Sequence, residues 1–442
     1  MMIAATHPLF ETPLPRDWKV LTVDDIKSPE KSSCVAGPFG SNISSKYFVE
    51  EGVPVIRGSN LRDDLTRFVP HGFVFVSKQQ AERYKAQHVR SDDLVFTCWG
   101  TLGQVGLIPR DGPFPEYIIS NKQLKLRPNF EISDPLYLFY YFAGPKMIEH
   151  ILNRAIGAAV PGINLGILKG LPVVLPPLTV QRRIASILGA YDELIDVNLR
   201  RIALLEEMAR RLFEEWFVRF RFPGHEGHAM VETADGPKPE GWPLSRIGDL
   251  TAYLSRGIAP KYDATAASLV ISQKCIRNQR LSLAPARTQS KPIPREKLVQ
   301  SGDVLINSTG VGTLGRVAQA EVVPADLTVD SHVTIVRPDI RLDRDFFGLA
   351  LLRMEALFER LGVGATGQTE LNRNRIADLT LAEPPLRLQR VFGHHARPIR
   401  ALAFQLARQN DLLAATRDLL LPRLISGEIS VPTAERELDA VA

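Results

Sequence analysis

Apolar positions between residues 181 and 220 recur every three and four residues, and no proline interrupts them. This strict alternation is a heptad pattern and predicts a long helix that pairs in a left-handed coiled coil. The repeating positions are Leu188, Tyr191, Ile195, Asn198, Ile202, Leu205, Ala209, Leu212 and Trp216. Asn198 is polar, and it either fixes the register of the pair or is an amide tolerated at a wet helix crossing.

A second pattern with the same period runs from about Pro398 to Leu421. Its positions are Ile399, Leu402, Leu406, Gln409, Leu413, Thr416 and Leu420. Pro398 suits a first helical turn and would kink a helix begun earlier, so we expect the second helix to be shorter than the first, or bent. Each helix alone could be an ordinary core helix, but the shared period favours their pairing with each other.

Three blocks of the first half recur in the second half in the same order. The pairs are PLPRDWKVLTVDDI with PKPEGWPLSRIGDL, SDDLVFTCWGTLGQV with SGDVLINSTGVGTLGRV, and INLGILKGLPVVLPPLTVQRR with LNRNRIADLTLAEPPLRLQRV. The chain is therefore two copies of one unit of roughly 210 residues. The segments between the blocks, such as 37–60, diverge freely, which predicts one scaffold that carries two different surfaces.

The stretch INSTGVGTLGRV contains a literal G-x-G-x-x-G from Gly310 to Gly315. In a dinucleotide site a helix must follow these glycines, yet RVAQAEVVPADLTVD is typical of a strand. Its first-half counterpart, CWGTLGQV, lacks the middle glycine and carries Trp99. Asp330 lies at a suitable separation along the chain from these glycines to contact a ribose. A hairpin turn with glycines at positive φ is nevertheless favoured.

Composition narrows the class of protein further. The 442 residues are 45% apolar and 23% charged, with a formal net charge of +5, which suits a globular chain and permits a nucleic-acid partner. Three scattered cysteines, Cys34, Cys98 and Cys275, suit a reducing cytoplasm and exclude a cysteine-based zinc site. The apolar segment 156–180 contains four prolines and a lysine, so we expect buried strand and loop, not a membrane span.

Motifs of catalysis are missing from the sequence. There is no G-x-x-x-x-G-K-[ST], no N-P-P-Y or D-P-P-Y and no evident nuclease core. HEGH at His225 is not H-E-x-x-H and lies in a Pro/Gly-rich segment, 221–240, which we assign to a linker. We therefore expect a non-catalytic chain with no metal site.

Together these features resemble the specificity subunit of type I restriction–modification systems. The residues that carry the resemblance are Trp18 and Trp242, the blocks at Asp93 and Asp303, the segment LPPLTVQRRIASILGAYDELIDVNLRRIALLEEM and the terminal LLLPRLISGEI. One departure is the interruption of the second helix block by GHHARP.

The resemblance implies an α/β fold with two tandem target recognition domains, joined by two long helices packed as an antiparallel coiled coil. We place the domains at 1–180 and 241–386, the spacer helices at 181–220 and 387–425, and a C-terminal tail at 426–442. The resemblance further implies double-stranded DNA as ligand and two modification subunits and restriction subunits as partners. S-adenosylmethionine, ATP and Mg are expected in those partners and not in this chain.

The two domains would each read half of an asymmetric, split DNA site in the major groove. Side chains that donate or accept at groove edges, or that grip phosphate, are the candidates. In the first half they are Ser41, Asn42, Lys46, Tyr47, Arg57, Ser59 and Asn60. In the second half they are Lys261, Tyr262, Gln273, Lys274, Arg277, Asn307, Ser308 and Thr309.

Antiparallel helices of about 40 residues, roughly 60 Å long, would hold the two reading surfaces about one DNA turn apart and leave about 5–8 bp unread. Two alternatives stay open. One is an enzyme, either a restriction–methylation fusion or an oxidoreductase; the other is a coiled-coil scaffold or a DNA-reading adaptor of a related defence system.

Overall fold

The structure, a computed structural model, describes residues 9–10, 13–157, 160–233, 236–363 and 369–439. The chain forms two compact units. Unit 1 comprises Met1–Asp196 and Asn410–Ala442, and unit 2 comprises Val197–Gln409.

Unit 1 combines short strands with five short helices ahead of the first long helix. These elements are β1 Lys19–Thr22, α1 Val23–Ile26, β2 Cys34–Ala36, β3 Phe48–Val49, β4 Val53–Ile56, β5 Val74–Val76, α2 Lys78–Glu82, β6 His88–Val89, β7 Leu94–Thr97, β8 Val105–Leu107, β9 Tyr117–Ile119, β10 Gln123–Leu126, α3 Pro135–Ala143, α4 Pro145–Leu152, α5 Leu165–Lys169 and β11 Pro172–Leu175. The long helix α6, Leu178–Phe217, follows directly.

Three sheets organise unit 1. A four-stranded sheet has the order β2-β10-β7-β8, a five-stranded sheet has the order β3-β5-β4-β9-β6, and β1 pairs with β11. Every residue of β7 and β10 is buried, which explains why these strands show apolar runs in place of an alternating pattern. Helix α3, whose sequence PLYLFYYFA is almost entirely buried, covers the four-stranded sheet.

Unit 2 repeats this arrangement. Its elements are β12 Met230–Thr233, β13 Gly236–Pro239, β14 Leu244–Arg246, β15 Thr251–Arg256, β16 Ser268–Ile271, β17 Ile276–Arg277, β18 Arg280–Leu281, β19 Arg287–Gln289, β20 Val304–Asn307, β21 Val317–Gln319, β22 Leu327–Val329, β23 Val333–Pro338, α7 Arg344–Arg353, α8 Glu355–Arg360, α9 Arg373–Asp378 and β24 Thr380–Ala382. Then come the long helix α10, Leu386–Ile425, and α11, Val431–Asp439.

The sheet β15-β23-β20-β21 of unit 2 has the topology of β2-β10-β7-β8, and the pair β14-β24 has that of β1-β11. Each unit also holds one parallel pair, β4 with β9 and β16 with β22. The predicted α/β class and the internal repeat are confirmed.

The recurring polar residues hold the backbone at equivalent points. Gln181 accepts a hydrogen bond from the Asp134 amide at 2.9 Å and donates to the carbonyl of Pro176, and Gln389 does the same with Asp343 and Pro384. These contacts lock the start of each long helix to the N-terminus of α3 or α7. They supply a physical reason for the repeated PP…Q spacing.

The long helices pack against each other antiparallel within each unit. In unit 1, Arg417 Nη1 donates to Asp192 Oδ1 at 2.6 Å, and Asn410 Nδ2 donates to the carbonyl of Ile195 at 3.3 Å. In unit 2, Ile202 packs with Ala403 and Leu406, and Phe217 packs on Phe392. Residue numbers rise along one helix as they fall along the other, as antiparallel packing requires.

On α10, some of the residues that the sequence pattern predicted to face the other long helix face solvent instead. Leu402 is 46% exposed, while Ala403 beside it is buried against Ile202. Gln409 and Thr416 are also exposed, and the inward positions between Leu406 and Leu420 are taken by Asn410, Leu413 and Arg417. Two patterns of three-residue and four-residue steps share Ile399, Leu406, Leu413 and Leu420 and differ by one residue between them. The prediction chose the pattern with Leu402, and the structure has the one with Ala403.

The other predicted helix positions lie inside, buried or half-buried: Leu188, Tyr191, Ile195, Asn198, Ile202, Leu205 and Leu212 on α6 and Ile399, Leu406, Leu413 and Leu420 on α10. Asn198 is buried, and its Nδ2 donates to Gln409 Oε1 at 3.3 Å. This hydrogen bond links the two helices.

Pro398 does not shorten the second helix. α10 begins at Leu386 and has the same 40-residue length as α6. Pro398 has no N–H to donate to the carbonyl of His394, but both residues are exposed, so water can bond that carbonyl. The expectation of a shorter second helix was wrong.

The segments assigned to a linker and a C-terminal tail contain secondary structure in their described parts. Within 221–240, β12 and β13 form a hairpin, and Phe222 packs on the buried Trp242. Within 426–442, α11 packs on unit 1 through the buried Val431 and Ala434, and Glu435 pairs with Arg183 of α6. Helix α11 thus packs as part of unit 1.

Candidate DNA interface

The parallel strands bring variable loops together at one edge of each unit. In unit 1, Val55 pairs with Ile118 and Ile56 with Ile119, so β4 and β9 end side by side. After β4 comes a 3-10 turn, Gly58–Asn60, and after β9 comes the turn at residues 120–122. Because the carboxyl ends of parallel strands meet at one edge of a sheet, these loops lie together.

The hairpin between β7 and β8 joins the same edge. The Cys98 amide donates to the carbonyl of Lys122 at 2.8 Å, and Gln104 Nε2 donates to the carbonyl of Leu61 at 3.2 Å. We call residues 57–60, 98–103 and 120–122 the first loop cluster.

Unit 2 builds the same cluster with other residues. β16 and β22 end together at Ile271 and Val329, and the 3-10 turn Gln273–Cys275 follows β16. Gln273 Nε2 donates to both the carbonyl and the hydroxyl oxygen of Thr309 at 2.7 Å, and Thr309 Oγ1 lies 2.8 Å from His332 Nδ1. Residues 272–275, 308–315 and 330–332 form the second loop cluster.

The G-x-G-x-x-G stretch is a hairpin between β20 and β21, as predicted. Gly310, Gly312 and Gly315 have φ of 104°, 69° and 83°, values that side chains disfavour. A Cβ on Gly315 would lie 2.4 Å from the Glu359 backbone nitrogen. A strand follows the glycines and the N-terminus of a helix does not, so the hairpin lacks the pyrophosphate-binding geometry of a dinucleotide site.

Asp330, the residue considered for a ribose contact, is buried, and burial raises the pKa of its carboxyl group. Its Oδ1 accepts a hydrogen bond from the amide of His332 at 2.9 Å. This contact shapes the β22–β23 turn, which leaves the imidazole of His332 exposed at the cluster.

Three sequence candidates are buried, and their assignment as DNA contacts is corrected. Asn60 is fully buried: its Nδ2 donates to the carbonyls of Val69 and His71, and its Oδ1 accepts from the Arg57 amide. Asn307 donates to the carbonyl of Gln273, and Ser308 Oγ lies 2.6 Å from Thr334 Oγ1. Polar residues beside a predicted loop can equally be the ones that hold its backbone.

Five candidates are exposed or half-buried within the clusters. Ser59 is exposed and Arg57 is half-buried in the first cluster; Lys274 is exposed and Gln273 half-buried in the second. Thr309 is also half-buried, and its hydroxyl already bonds Gln273 and His332. Their contact with DNA stays a prediction.

The remaining candidates flank the clusters. Asn42 and Lys46 are exposed, and Lys46 Nζ lies 4.7 Å from the centroid of the Tyr47 ring. The side chain of Ser41 lies outside the described part of the structure. In unit 2, Arg287 stacks on the exposed Tyr262 at 3.5 Å, and Lys261 and Arg277 are exposed.

Sequence reasoning missed several exposed residues of this edge. Asn121 and Lys122 are exposed in the first cluster, and Asn121 Nδ2 donates to the carbonyl of Gly40, which ties the loop of the exposed Phe39 to the cluster. His332 holds the position of Lys122 in the second cluster, since the amides of Cys98 and Ser308 donate to their respective carbonyls. The sequence feature that could have identified Lys122 and His332 is the short turn before β10 and β23.

Hydrophobic side chains also face outward here. Trp99 is partly exposed at the first hairpin, and its ring covers Gly162, where a Cβ would meet the ring at 2.4 Å. Val311 is exposed at the tip of the second hairpin. Exposed apolar groups among polar ones suit contact with thymine methyl groups or base steps.

No cluster of three or more metal-ligating side chains occurs among the described residues. No described helix is long and apolar enough to cross a membrane. The three thiols are buried, and burial raises the pKa of Cys34 and Cys98 to about 11, so neither is a reactive thiolate.

Comparison with known proteins identifies the class. Residues 15–207 match the sequence model of the type I restriction modification DNA specificity domain. The first half of the chain is therefore similar to that domain family.

Whole-chain relatives agree with this similarity. The chain is 22% identical to the type I restriction enzyme MjaIX specificity subunit of Methanocaldococcus jannaschii over 95% of each chain. It is also 22% identical to the HindI specificity subunit of Haemophilus influenzae, over 72% of this chain and 83% of that one. The predicted resemblance to type I specificity subunits is confirmed.

A solved structure supports the fold. The type I S subunit from M. genitalium superposes with a TM-score of 0.57 at 14% identity, over 95% of this chain and 99% of that chain.

Proposed function

We propose that this chain is the sequence-specific DNA-binding subunit of a type I restriction–modification complex. Each unit reads one half of an asymmetric, bipartite DNA site in the major groove. The observation that carries this proposal is that two equivalent loop clusters, on the same scaffold, present different side chains. A duplicated scaffold with unlike surfaces suits two unlike half-sites.

The chemistry of the clusters supports DNA as the ligand. Each cluster combines a lysine beside the hairpin or turn, Lys122 or Lys274, with amide, hydroxyl or aromatic groups. Lysine and arginine grip phosphates without regard to sequence, while amides, hydroxyls and arginines read base edges.

We assign the long helices two tasks. They hold the two reading surfaces at a constant separation and so set an unread gap of about 5–8 bp. They also dock two methyltransferase subunits, which bind S-adenosylmethionine and modify adenine. Restriction subunits, with ATP and Mg, complete the assembly, which we place in the cytoplasm.

Exposed leucines on the helices support the docking of two identical subunits. The offset that relates Gln181 to Gln389 also relates Leu194 to Leu402 and Leu204 to Leu412. The equivalent residues are 40% and 46% exposed in the first pair and 66% and 68% in the second. Unit 1 thus presents the exposed pair Leu194 with Leu412, and unit 2 presents the equivalent pair Leu204 with Leu402.

Helical register places the two leucines of each unit at one level. In unit 1, the Asn410–Ile195 hydrogen bond sets the register next to Leu194 and Leu412. In unit 2, the contact of Ile202 with Ala403 does the same next to Leu204 and Leu402. Exposed apolar residues repeated at equivalent positions fit one partner present in two copies.

The experiment is a single-molecule sequencing methylome of cells with and without this chain, and with residues 37–60 replaced by a segment from another specificity subunit. We expect a split, asymmetric adenine-methylated motif that disappears on deletion. The replacement should alter only one half of the motif. If deletion removes no methylated motif, or if the motif is not split, the proposal is refuted and a scaffold that does not direct methylation is favoured.

A further inference from the structure

The segment that follows the 3-10 turn of unit 1 is bonded to that turn along its length. Asn60 donates to the carbonyls of Val69 and His71, and the Val69 amide donates to the carbonyl of Asn60 at 3.0 Å. The Leu107 amide of β8 donates to the carbonyl of Arg67 at 2.9 Å. Displacement of residues 61–71 would therefore carry the first loop cluster with it.

Arg67 joins this segment to α6 and to α3. Its Nε donates to Asp192 Oδ2 of α6 at 3.3 Å, and its Nη2 donates to the hydroxyl of Tyr140 at 3.3 Å. Tyr140 also donates to Asp192, and Arg417 of α10 donates to the other oxygen of the same carboxylate at 2.6 Å. Asp192 and Arg417 are buried, so their ion pair is shielded from solvent.

Unit 2 makes a corresponding link with different residues. After the turn Gln273–Cys275, β17 and β18 form a hairpin whose two linking residues, Asn278 and Gln279, have φ of 51° and 59°. Arg280 of this hairpin holds Glu206 of α6 through two hydrogen bonds of 2.6 Å. Paired hydrogen bonds of this kind fix orientation as well as distance.

The two links start from the same place in each unit, although their sequences do not match and the repeat relates α6 to α10. In each unit an arginine lies in the segment directly after the 3-10 turn of the loop cluster and binds a carboxylate on α6. The segment in unit 1 lies along β8, and the hairpin in unit 2 lies along β21, the equivalent strand. Both arginines are about one-third exposed, which is more than side chains that only fill a core.

We propose that Arg67 and Arg280 are positioning residues for sequence recognition, each of which fixes one loop cluster to the long helix α6. This inference rests on the proposed function, since it names what holds each reading surface against the spacer. Each arginine sets the accuracy with which its own half-site is read and leaves the other half-site unaffected.

The test uses the assembled complex with full-length chains that carry Arg67→Met or Arg280→Met. Methylation is measured on a library of DNA sites with single base changes in either half. Replacement of residues 37–60 assigns one half-site to unit 1. The matched control is Arg211→Met, which removes an exposed arginine of α6 paired with Glu207 one turn away.

We expect Arg67→Met to lower discrimination among bases about tenfold in the half-site of unit 1 only, a loss comparable to one base contact. Arg280→Met should do the same in the other half-site, and Arg211→Met in neither. Arg67→Lys, which keeps the charge but loses the fork geometry, should fall between wild type and Arg67→Met.

Equal loss at both half-sites, or unchanged discrimination in variants that assemble normally, would overturn the inference. A general loss of folding would lower methylation at all sites without changing the preferred bases. If Arg67→Met does not assemble, Arg67→Lys decides alone by whether the unit 1 half-site is relaxed. A wild-type complex without any split motif would instead refute the proposed function, and with it this inference.

Discussion

Units 1 and 2 share a scaffold, and their comparison separates residues that shape the backbone from residues whose side chains face outward. Arg127 forks onto the buried Asp93 in unit 1, and Arg337 forks onto the buried Asp303 in unit 2, with hydrogen bonds of 2.7–2.8 Å in both. By contrast, the positions of Trp99, Lys122 and Ser59 in the first cluster correspond to those of Thr309, His332 and Lys274 in the second. Contacts that hold the fold recur, and groups that face outward differ.

The buried core also differs at one equivalent position. Two residues before each of the forked arginines stand Lys125 in β10 and Ile335 in β23, and both are buried. Lys125 Nζ donates to the carbonyls of Ala86 at 2.7 Å and His88 at 2.9 Å. Unit 1 thus buries an amine bonded only to neutral acceptors where unit 2 buries a hydrocarbon.

The largest effect we expect is the loss of a forked ion pair. Arg127→Met leaves the fully buried carboxylate of Asp93 without its partner and should destabilise unit 1 by about 3–5 kcal/mol. Arg337→Met should cost unit 2 a similar amount. Urea unfolding of the full chain measures both.

Joint replacement by Asp93→Leu and Arg127→Met is the control, because it removes the uncompensated charge and should recover part of the loss. A loss below about 1 kcal/mol in either single variant would contradict the view that these pairs hold the repeated scaffold.

A pH-dependent stability should distinguish the two units. Burial lowers the pKa of Lys125 to about 8, below its ordinary value of 10.5. Between these two values the unfolded chain binds more protons than the folded one, so stability rises with pH by up to about 3 kcal/mol.

Lys125→Met should remove this rise, and the difference between the two unfolding profiles from pH 8 to 10.5 isolates the lysine. Ile335 predicts no such contribution from unit 2. Parallel profiles for wild type and variant would show that Lys125 keeps its ordinary titration.

Exposed leucines of the helices should be sensitive to charge. Leu204→Asp or Leu412→Asp places a carboxylate on one proposed docking surface and should weaken one of the two methyltransferase sites at least tenfold, about 1.4 kcal/mol. Native mass spectrometry would then show complexes with one methyltransferase subunit in place of two.

Leu419→Asp is the matched control, because Leu419 is exposed but its equivalent on α6 is Arg211. Loss of both subunits from either variant, or equal loss from Leu419→Asp, would argue against two equivalent leucine sites.

The smallest effect concerns phosphate contacts. Lys122→Ala and Lys274→Ala should each weaken DNA binding a few-fold and equally for all sequences, and lower the slope of log affinity against log salt by about one. Lys85→Ala, which removes an exposed lysine paired with Glu82, serves as control. A change of preferred bases without a change of slope would make these lysines base-reading residues.

Parts of this fold follow from local sequence. The repeat is visible because the same contacts need the same residues: a glutamine at the helix start, asparagine caps at Asn164 and Asn372, and glycines at positive φ. The glycine hairpin was predictable for the same reason, since the following strand pattern excluded a helix.

The candidate site was only partly predictable. Asn60, Asn307 and Ser308 have the composition of DNA-contacting residues, yet contacts from distant strands bury them. Lys122 and His332 do not belong to any recognisable sequence motif. Only the parallel pairing of β4 with β9 and of β16 with β22 brings them to the edge where the loop clusters lie.

The sequence by itself determined the duplication, the presence of two long helices and the resemblance to type I specificity subunits, because periodicity and repeated capping residues act over a few positions along the chain. The tertiary structure decided which residues of the second helix face inward, where Ala403 and not Leu402 contacts Ile202. It also decided which polar side chains of the loop clusters are buried and which are exposed. It alone revealed the ties from Arg67 to Asp192 and from Arg280 to Glu206. Such contacts join residues more than 70 positions apart, and no local pattern encodes which partner a side chain will meet.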